Sequence, residues 1–224
     1  MLKVLRSSSA CNSSLVGDIL IDCGLNPRAV VRLSGILPKA VLLTHEHSDH
    51  SKQVASWLRV CPVYATAGTL RALDILDNDG VQVVEPNYEY DIAGQVVEVY
   101  SAQHESAADP CYFVVRNENG SILFSTDNKR IEQPKRRFTE IALEANFDED
   151  LLNNAKLERV VQEASLTHCS FQKAMRILES LYLRGCERIT LLHLSGKLSD
   201  PERFKSECER AFGIPTFVGG MGNG

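Results

Sequence analysis

Three of the six histidines and one aspartate fall within His45-Glu46-His47-Ser48-Asp49-His50, directly after the apolar run Ala40-Val41-Leu42-Leu43. The apolar run reads as a buried strand. An extended segment turns alternate side chains to the same side, so His45 and His47 can grip one metal ion. Asp49 and His50 come after the turn and can reach a second ion beside it. Imidazole and carboxylate at this density suit Zn2+ or Mn2+ better than iron. A solvated histidine-rich loop is the bland reading, but such loops have no reason to place ligand-type residues at alternating positions.

Other strands must bring further ligands to the same place. His104 follows the strand-like Val96–Tyr100 and Asp127 follows Ile122–Phe124. His193 follows the buried run Arg188–Leu192. Asp22 ends the strand Ile19–Ile21 just before a glycine, a place suited to an acid that orients a metal-bound histidine. One polar residue at a strand end is commonplace; several ligand types at several strand ends point to a shared site.

The remaining elements are read from periodicity. Strands are expected at Leu2–Arg6, Val63–Ala65, Val81–Val84, Gln95–Tyr100, Tyr112–Arg116 and Phe138–Ala145, with Asn119-Gly120 as a hairpin turn. Ser7–Ser14 reads as a polar turn. Helices are expected at Asn26–Ser34, Ser51–Arg59, Thr69–Leu76 and Glu158–Ala164, and from Asp200-Pro201 onward. Phe171, Ala174, Met175, Leu178, Leu181 and Tyr182 recur at helical spacing before Gly185 and read as a core stripe. His168 and Ser170 sit at or just before that helix's start, where free N–H groups attract anions, so His168 suits a phosphate-facing role and Ser170 a substrate contact, the bland reading of such a histidine being a cap or packing residue. From Lys129 to Arg137 five of nine residues are basic. Lys129, Arg130, Lys135, Arg136 and Arg137 either form a solvated face or contact a phosphate backbone, and the position just after Asp127 favours the contact. Val218–Gly224 reads as a loose glycine-rich tail.

At 224 residues with 44% hydrophobic content, a single domain over residues 1–224 is expected. No apolar run approaches a membrane span and no signal-like segment opens the chain, so a cytoplasmic protein is expected. The seven cysteines are scattered, with no Cys-x-x-Cys pair, and read as reduced packing residues, Cys23 and Cys169 near the site included. A net charge of −5 means that a polyanion would be met by a local patch and by bound cations.

His45-Glu46-His47-Ser48-Asp49-His50 resembles the His-x-His-x-Asp-His signature of metallo-β-lactamase-fold hydrolases. The order of His104, Asp127 and His193 extends the likeness from the first strand to about Ser195. An aspartate at 127 resembles the dinuclear phosphodiesterase and glyoxalase II branches. Ile21–Leu25, Ser125-Thr126-Asp127, Leu143–Asn146 and Leu192–Ser195 resemble the small bacterial exonucleases of the YycJ (WalJ) type and, more distantly, ribonuclease Z. His168-Cys169-Ser170 resembles the phosphate-side histidine motif of ribonuclease Z. The sequence departs from that pattern at Ala10–Ser13, at Phe147 and at Thr167–Phe171, and has no insertion long enough for a tRNA-gripping arm.

The resemblance implies an α/β fold, an αββα sandwich with a dinuclear metal site at one edge. His45, His47 and His104 are assigned to one ion, Asp49, His50 and His193 to the other, and Asp127 bridges. The implied activity is that of a metal-dependent phosphodiesterase, a nuclease acting on DNA or RNA through a metal-bridging hydroxide. Asp49 and His168 would handle protons or phosphate oxygens, and Asp22 would orient a ligand. The rival readings are a cyclic-nucleotide phosphodiesterase, a glyoxalase II-like thioesterase or lactonase, and a metal-binding protein without activity. Oligomeric state is open, a homodimer included.

Overall fold

The computed structural model describes residues 1–131, 136–154 and 167–220. Two mixed sheets carry the fold. The first holds β1 (Leu2–Ser8), β2 (Cys11–Val16), β3 (Ile19–Ile21), β4 (Ala40–Leu42), β5 (Val63–Ala65) and β6 (Val81–Val83), side by side in chain order. The second holds β7 (Glu89–Ile92), β8 (Gln95–Ser101), β9 (Cys111–Asn117), β10 (Gly120–Ser125), β11 (Glu140–Glu144), β12 (Arg188–Leu192) and β13 (Thr216–Val218), also in chain order. Each sheet has an antiparallel part, β1 to β3 and β7 to β10, and a parallel part, β3 to β6 and β10 to β13.

Strand periodicity sorts the core into layers, because successive side chains leave a sheet on opposite faces. Ile19, Ile21 and Leu42 of the first sheet meet Val97, Val99, Phe113 and Phe124 of the second. Their neighbours Leu20, Val41 and Leu43 face outward and pack on Val30, Val54, Trp57 and Leu70. Those four lie on α1 (Pro27–Ser34), α3 (Val54–Trp57) and α4 (Ala67–Ala72). On the far side Val114, Leu123, Ile141 and Leu191 pack on Phe171, Leu178 and Phe204 of α6 (Phe171–Ser180) and α7 (Pro201–Phe212). The result is an αββα sandwich. The helix ends follow their local chemistry. Asn26 caps α1 ahead of Pro27, Asp200 caps α7 ahead of Pro201, and each helix stops at a left-handed glycine, Gly35 and Gly213.

Several sequence expectations are corrected. Ser7–Ser14 is a tight turn at Ser9-Ala10 joining β1 to β2, and Asn12, Ser13 and Ser14 are buried strand residues. Their polarity imitates a loop, but they are strand residues, and Asn12 hydrogen-bonds into the site. The stretch 51–59 is two short helices, α2 (Ser48–Ser51) and α3, and the helix expected at 69–76 covers Ala67–Ala72. The segments β7 and α5 (Glu149–Asn154) were not anticipated. Val218 ends a strand, and the Gly219 N–H donates to the Leu191 carbonyl at 2.8 Å, so the chain is held at least to that point. The helix expected at 158–164 and residues 221–224 lie outside the described residues.

Candidate metal centre

Six strands end at one edge of the sandwich, and the residues just past their ends converge. Asp22 follows β3, Thr44–His50 follows β4, His104 follows β8, Asp127 follows β10, Glu144 ends β11 and His193 follows β12. The chain turns sharply there: Asp22, Asp127 and His193 have positive φ (59°, 46° and 55°). Asp and His are among the non-glycine residues that most often accept that conformation, and such strain is retained where a site over-determines it. Gly24 allows the closest approach, since a Cβ there would lie 2.4 Å from the Asp49 carbonyl oxygen and 2.8 Å from the Asn12 nitrogen.

All seven ligand candidates come together. Side-chain donor atoms of His45, His47, His104 and Asp127 lie within 4.8 Å of one another, and so do those of Asp49, His50, Asp127 and His193. Asp127 belongs to both groups. His45, His50, His104, Asp127 and His193 are buried, and His47 and Asp49 are partly exposed on the open side. The site therefore has a closed floor and an accessible mouth.

The hydrogen bonds orient the rings. His50 Nδ1 lies 2.7 Å from Asp22 Oδ2, which leaves Nε2 facing Asp49 (3.1 Å) and Asp127 (3.2 Å). The other Asp22 oxygen accepts from the Thr44 N–H and hydroxyl, both at 2.9 Å. The Thr44 hydroxyl also meets His45 Nδ1 at 3.0 Å, so His45 Nε2 points into the site. Among the described residues, the buried His45 Nε2 and His193 Nε2 have no hydrogen-bond partner. Unpartnered nitrogens aimed into a buried cluster, with carboxylates across from them, fit a cation. Ligand distances of about 2.0–2.2 Å around a shared centre would satisfy them.

Charge tells the same story. Burial holds the His45 and His104 imidazoles below their ordinary pKa, His45 well below, and the neutral form is the one that ligates metal. Burial also works against charge on His50 and His193. There the carboxylates win, Asp22 and Asp127 for His50 and chiefly Asp127 for His193, and both pKa values rise well above the ordinary one. Burial opposes ionisation of Asp49 and Asp127, yet the histidines hold both carboxyls ionised. Such a concentration of buried negative charge is the environment that draws divalent cations.

Glu144 was not among the residues singled out for chemistry, and it is central. Its carboxylate meets His168 Nδ1 at 2.8 Å and His193 Nδ1 at 3.2 Å, and accepts from the N–H groups of Cys169 (3.0 Å) and Asn128 (3.2 Å). Glu144 could join Asp127, His168 and His193 as a third ligand group. Its oxygens are already engaged by these four donors, which favours an orienting role. Asn12 was likewise missed: its amide lies 2.8 Å from Asp49 Oδ2 and donates to the Ser8 carbonyl at 2.9 Å.

His168 stands at the rim, its side chain 21% exposed and its ring centroid 5.0 Å from that of His193. Burial lowers its pKa, but the Glu144 hydrogen bond and charge outweigh burial and raise it above the ordinary value. Ser170 does not face the cluster. Its hydroxyl caps α6 at the Lys173 N–H (3.1 Å) and donates to Glu149 at 2.5 Å, which leaves nothing for a phosphate. The basic segment is mostly engaged as well. Lys129 pairs with Glu105 (2.9 Å), Arg136 pairs with Glu98, and Arg137 lies over the Tyr182 ring at 5.4 Å. Arg130 is exposed, and Lys135 lies outside the described residues. Cys23 and Cys169 are buried, with thiol pKa values pushed far up by burial, and they act as packing residues. None of the seven cysteines is in a disulfide. Among the described residues no helix is long and apolar enough to cross a membrane.

Comparison with known proteins bears on the fold and the site together. The chain is 25% identical over 217 residues to exodeoxyribonuclease YycJ of Bacillus anthracis, covering 86% of this chain and 81% of that protein. It is 28% identical over 239 residues to ribonuclease Z of Methanopyrus kandleri, covering 88% and 83%. The structure aligns with the metallo-β-lactamase fold protein YhfI from Bacillus subtilis at a TM-score of 0.74 and 16% identity, covering 99% and 97% of the two chains. The family model described as the beta-lactamase superfamily domain matches residues 18–194, from just before β3 to just past His193, and the chain belongs to that superfamily, with a metallo-β-lactamase fold.

Proposed function

We propose that the protein is a phosphodiesterase that works with two divalent cations, Zn2+ or Mn2+, and cleaves nucleic-acid phosphodiester bonds. The observation that carries the reading is the pair of ligand groups sharing Asp127, with the Glu144–His168 pair directly alongside. His45, His47 and His104 would hold one ion, Asp49, His50 and His193 the other, and Asp127 both. Bound there, the ions supply Lewis acidity toward a phosphoryl oxygen and lower the pKa of a coordinated water.

The chain's own residues supply the rest. Asp22 fixes His50 with Nε2 inward, and Thr44 does the same for His45. Asp49 stays ionised and partly exposed, so one of its oxygens can take a proton from the attacking water. Glu144 holds His168 by Nδ1, which leaves Nε2 to meet a phosphate oxygen or to protonate the leaving oxygen. The raised His168 pKa keeps a larger share of the ring protonated near neutral pH, as a donor requires. A thioesterase or lactonase would need the ligands but not this acid-held histidine.

The relatives named an exodeoxyribonuclease and a ribonuclease support nucleic acid as the substrate class. The test is hydrolysis of bis(p-nitrophenyl) phosphate with added Mn2+ or Zn2+ by wild type, Asp127→Ala and His168→Ala. Wild type should turn over, Asp127→Ala should be inactive, and His168→Ala should lose about 10²–10⁴ in kcat with its metal content unchanged. End-labelled and internally labelled DNA and RNA would then fix the substrate. A metal-loaded wild type that ignores the phosphodiester but cleaves a thioester or lactone would overturn the reading.

A further inference from the structure

A second cavity lies between the two sheet edges, and none of the seven ligand candidates lines it. Its volume is about 640 Å³, within the range of small-molecule sites, about 300–1,000 Å³. Six consecutive residues, Met1 to Arg6, line one wall. Successive side chains of a strand leave on opposite faces, so an unbroken run can border one space only along the strand's edge. That fits the topology, since β1 is the terminal strand of one sheet and β13 of the other. Phe217 to Gly220 line the facing wall, and Leu33 and Ile36 close one side.

The slot's lining is largely apolar, and its charged residues are all basic. Leu5, Leu15, Leu33 and Phe217 supply hydrocarbon and ring surface, while Lys3, Arg6 and Arg188 are the charged residues of the lining. Among the described residues no aspartate or glutamate lines it, in a chain whose net charge is −5. Among the described residues none of the three cations makes an ion pair. Glu140 lies at the N-terminal end, but its carboxylate is taken by the Leu2 N–H at 3.1 and 3.2 Å and by the terminal amine at 3.7 Å. The Arg188 guanidinium is stacked over the Phe217 ring at 4.0 Å, which holds one cation in place above the apolar wall. Met1 and Ile36 in the lining are large exposed apolar residues, so hydrocarbon surface continues onto the rim.

We propose that this slot binds an anionic amphiphile, with an alkyl or aromatic body between β1 and β13 and a carboxylate or other acidic head among Lys3, Arg6 and Arg188. The observations favour this ligand over a strand-adding peptide. Between Val4 and Arg6 the β1–β2 register shifts, a bulge that interrupts a regular edge, and Lys3 and Arg6 further discourage edge pairing. The proposal is independent of the chemistry at the metal centre, since no residue is shared.

The test is calorimetric titration of the full-length protein with decanoate, decanol and decyltrimethylammonium, each below its micelle concentration. Amide NMR shifts then locate whatever binds. Decanoate should bind saturably, at least about tenfold tighter than the ammonium compound of the same chain length. Its shifts should map to Lys3–Arg6, Thr190 and Val218–Gly220. Arg6→Glu with Arg188→Glu should weaken decanoate by about tenfold and favour the cationic amphiphile instead. The comparison of head groups on wild type decides the matter even where the double variant folds poorly. Equal affinity for both charges, shifts confined to another region, or no saturable binding would overturn the proposal. So would an acidic octapeptide that binds the slot when decanoate does not.

Discussion

Asp22→Asn should weaken metal binding by about ten- to a hundredfold while leaving the fold intact. Asparagine accepts a positive φ nearly as readily as aspartate, so the 59° turn survives, and its size is unchanged. Asp22 satisfies three donors at once: the Thr44 N–H and hydroxyl, both at 2.9 Å on one oxygen, and His50 Nδ1–H at 2.7 Å on the other. The amide has one oxygen. If that oxygen stays on Thr44, the NH2 group faces His50 Nδ1 donor to donor. The ring then moves its proton to Nε2, the nitrogen that looks toward Asp49 and Asp127. A protonated Nε2 cannot ligate, so one donor of the second group is lost unless the wrong tautomer is reversed on binding. A charge-assisted hydrogen bond is worth about 1.5–3 kcal/mol, which converts to roughly the tenfold to hundredfold range. Zn2+ or Mn2+ competition against a chelating dye measures the loss, and histidine 15N shifts report the tautomer. Affinity within about twofold of wild type, with Nδ1 of His50 still protonated, would refute this account of how the ligand is oriented.

Other perturbations separate positioning from packing. Glu144→Gln should cut kcat by about ten- to a hundredfold, because Glu144 holds His168 and two backbone N–H groups, and metal content measured alongside separates this from any loss through its 3.2 Å contact with His193. The limb of its pH–rate profile that needs protonated His168 should move to lower pH, and an unmoved limb would remove His168 from that role. Glu98 offers a pH test of stability. Burial opposes its ionisation, but Tyr100 (2.7 Å), Arg136 and Arg116 (2.7 Å) outweigh it and hold the carboxyl below its ordinary value. A depressed carboxyl stabilises the fold above its unfolded pKa, near 4.5, and the gain is lost as pH falls through the folded value. Glu98→Gln should therefore cost about 1–3 kcal/mol in urea unfolding at pH 7 and close to nothing in strong acid; a constant difference would count against the ion pair. Phe204→Ala should cost about 3–5 kcal/mol, since Phe204 is fully buried and stacked on Phe171 at 4.0 Å, and a loss under 1 kcal/mol would mean the helix layer repacks freely.

What was legible in the sequence was what local chemistry forces. His45 to His50 announces itself because ligand residues alternate after an apolar strand, and α1 and α7 carry their own stop and start signals in Asn26-Pro27, Gly35, Asp200-Pro201 and Gly213. Residues whose role depends on distant partners stayed hidden. Asn12 lies in Ser7–Ser14, a run whose polarity reads as a turn, and only the fold shows it buried against Asp49, 37 residues away. Glu144 carries no local mark beyond standing where a strand ends, as Asp127 does. Its donors come from Asn128, His168, Cys169 and His193, which are 16 to 49 residues distant. Ser170 shows the opposite ambiguity. A serine before a helix, two residues past a histidine, suggests anion binding, but capping uses the same hydroxyl, and the nearby Glu149 accepts its hydrogen bond.

The same contrast explains why strand ends gather the ligand candidates while the basic side chains beyond Asp127 disperse. At the parallel strand ends, backbone geometry alone aims Asp127, Glu144 and His193 toward one edge, because β10, β11 and β12 run in the same direction side by side. Position in the chain therefore predicts position in space. A cationic side chain is long and flexible, and its head goes to whichever carboxylate the fold offers. Lys129 emerges beside Asp127 as expected, yet Glu105, adjacent to His104, captures it at 2.9 Å, and Glu98 captures Arg136. Composition counts charges, but only the tertiary structure shows which are already neutralised. Lys3, Arg6 and Arg188 show the converse: nothing in the sequence groups them, and the meeting of two sheet edges places all three along one cavity with no ion-pair partner among the described residues.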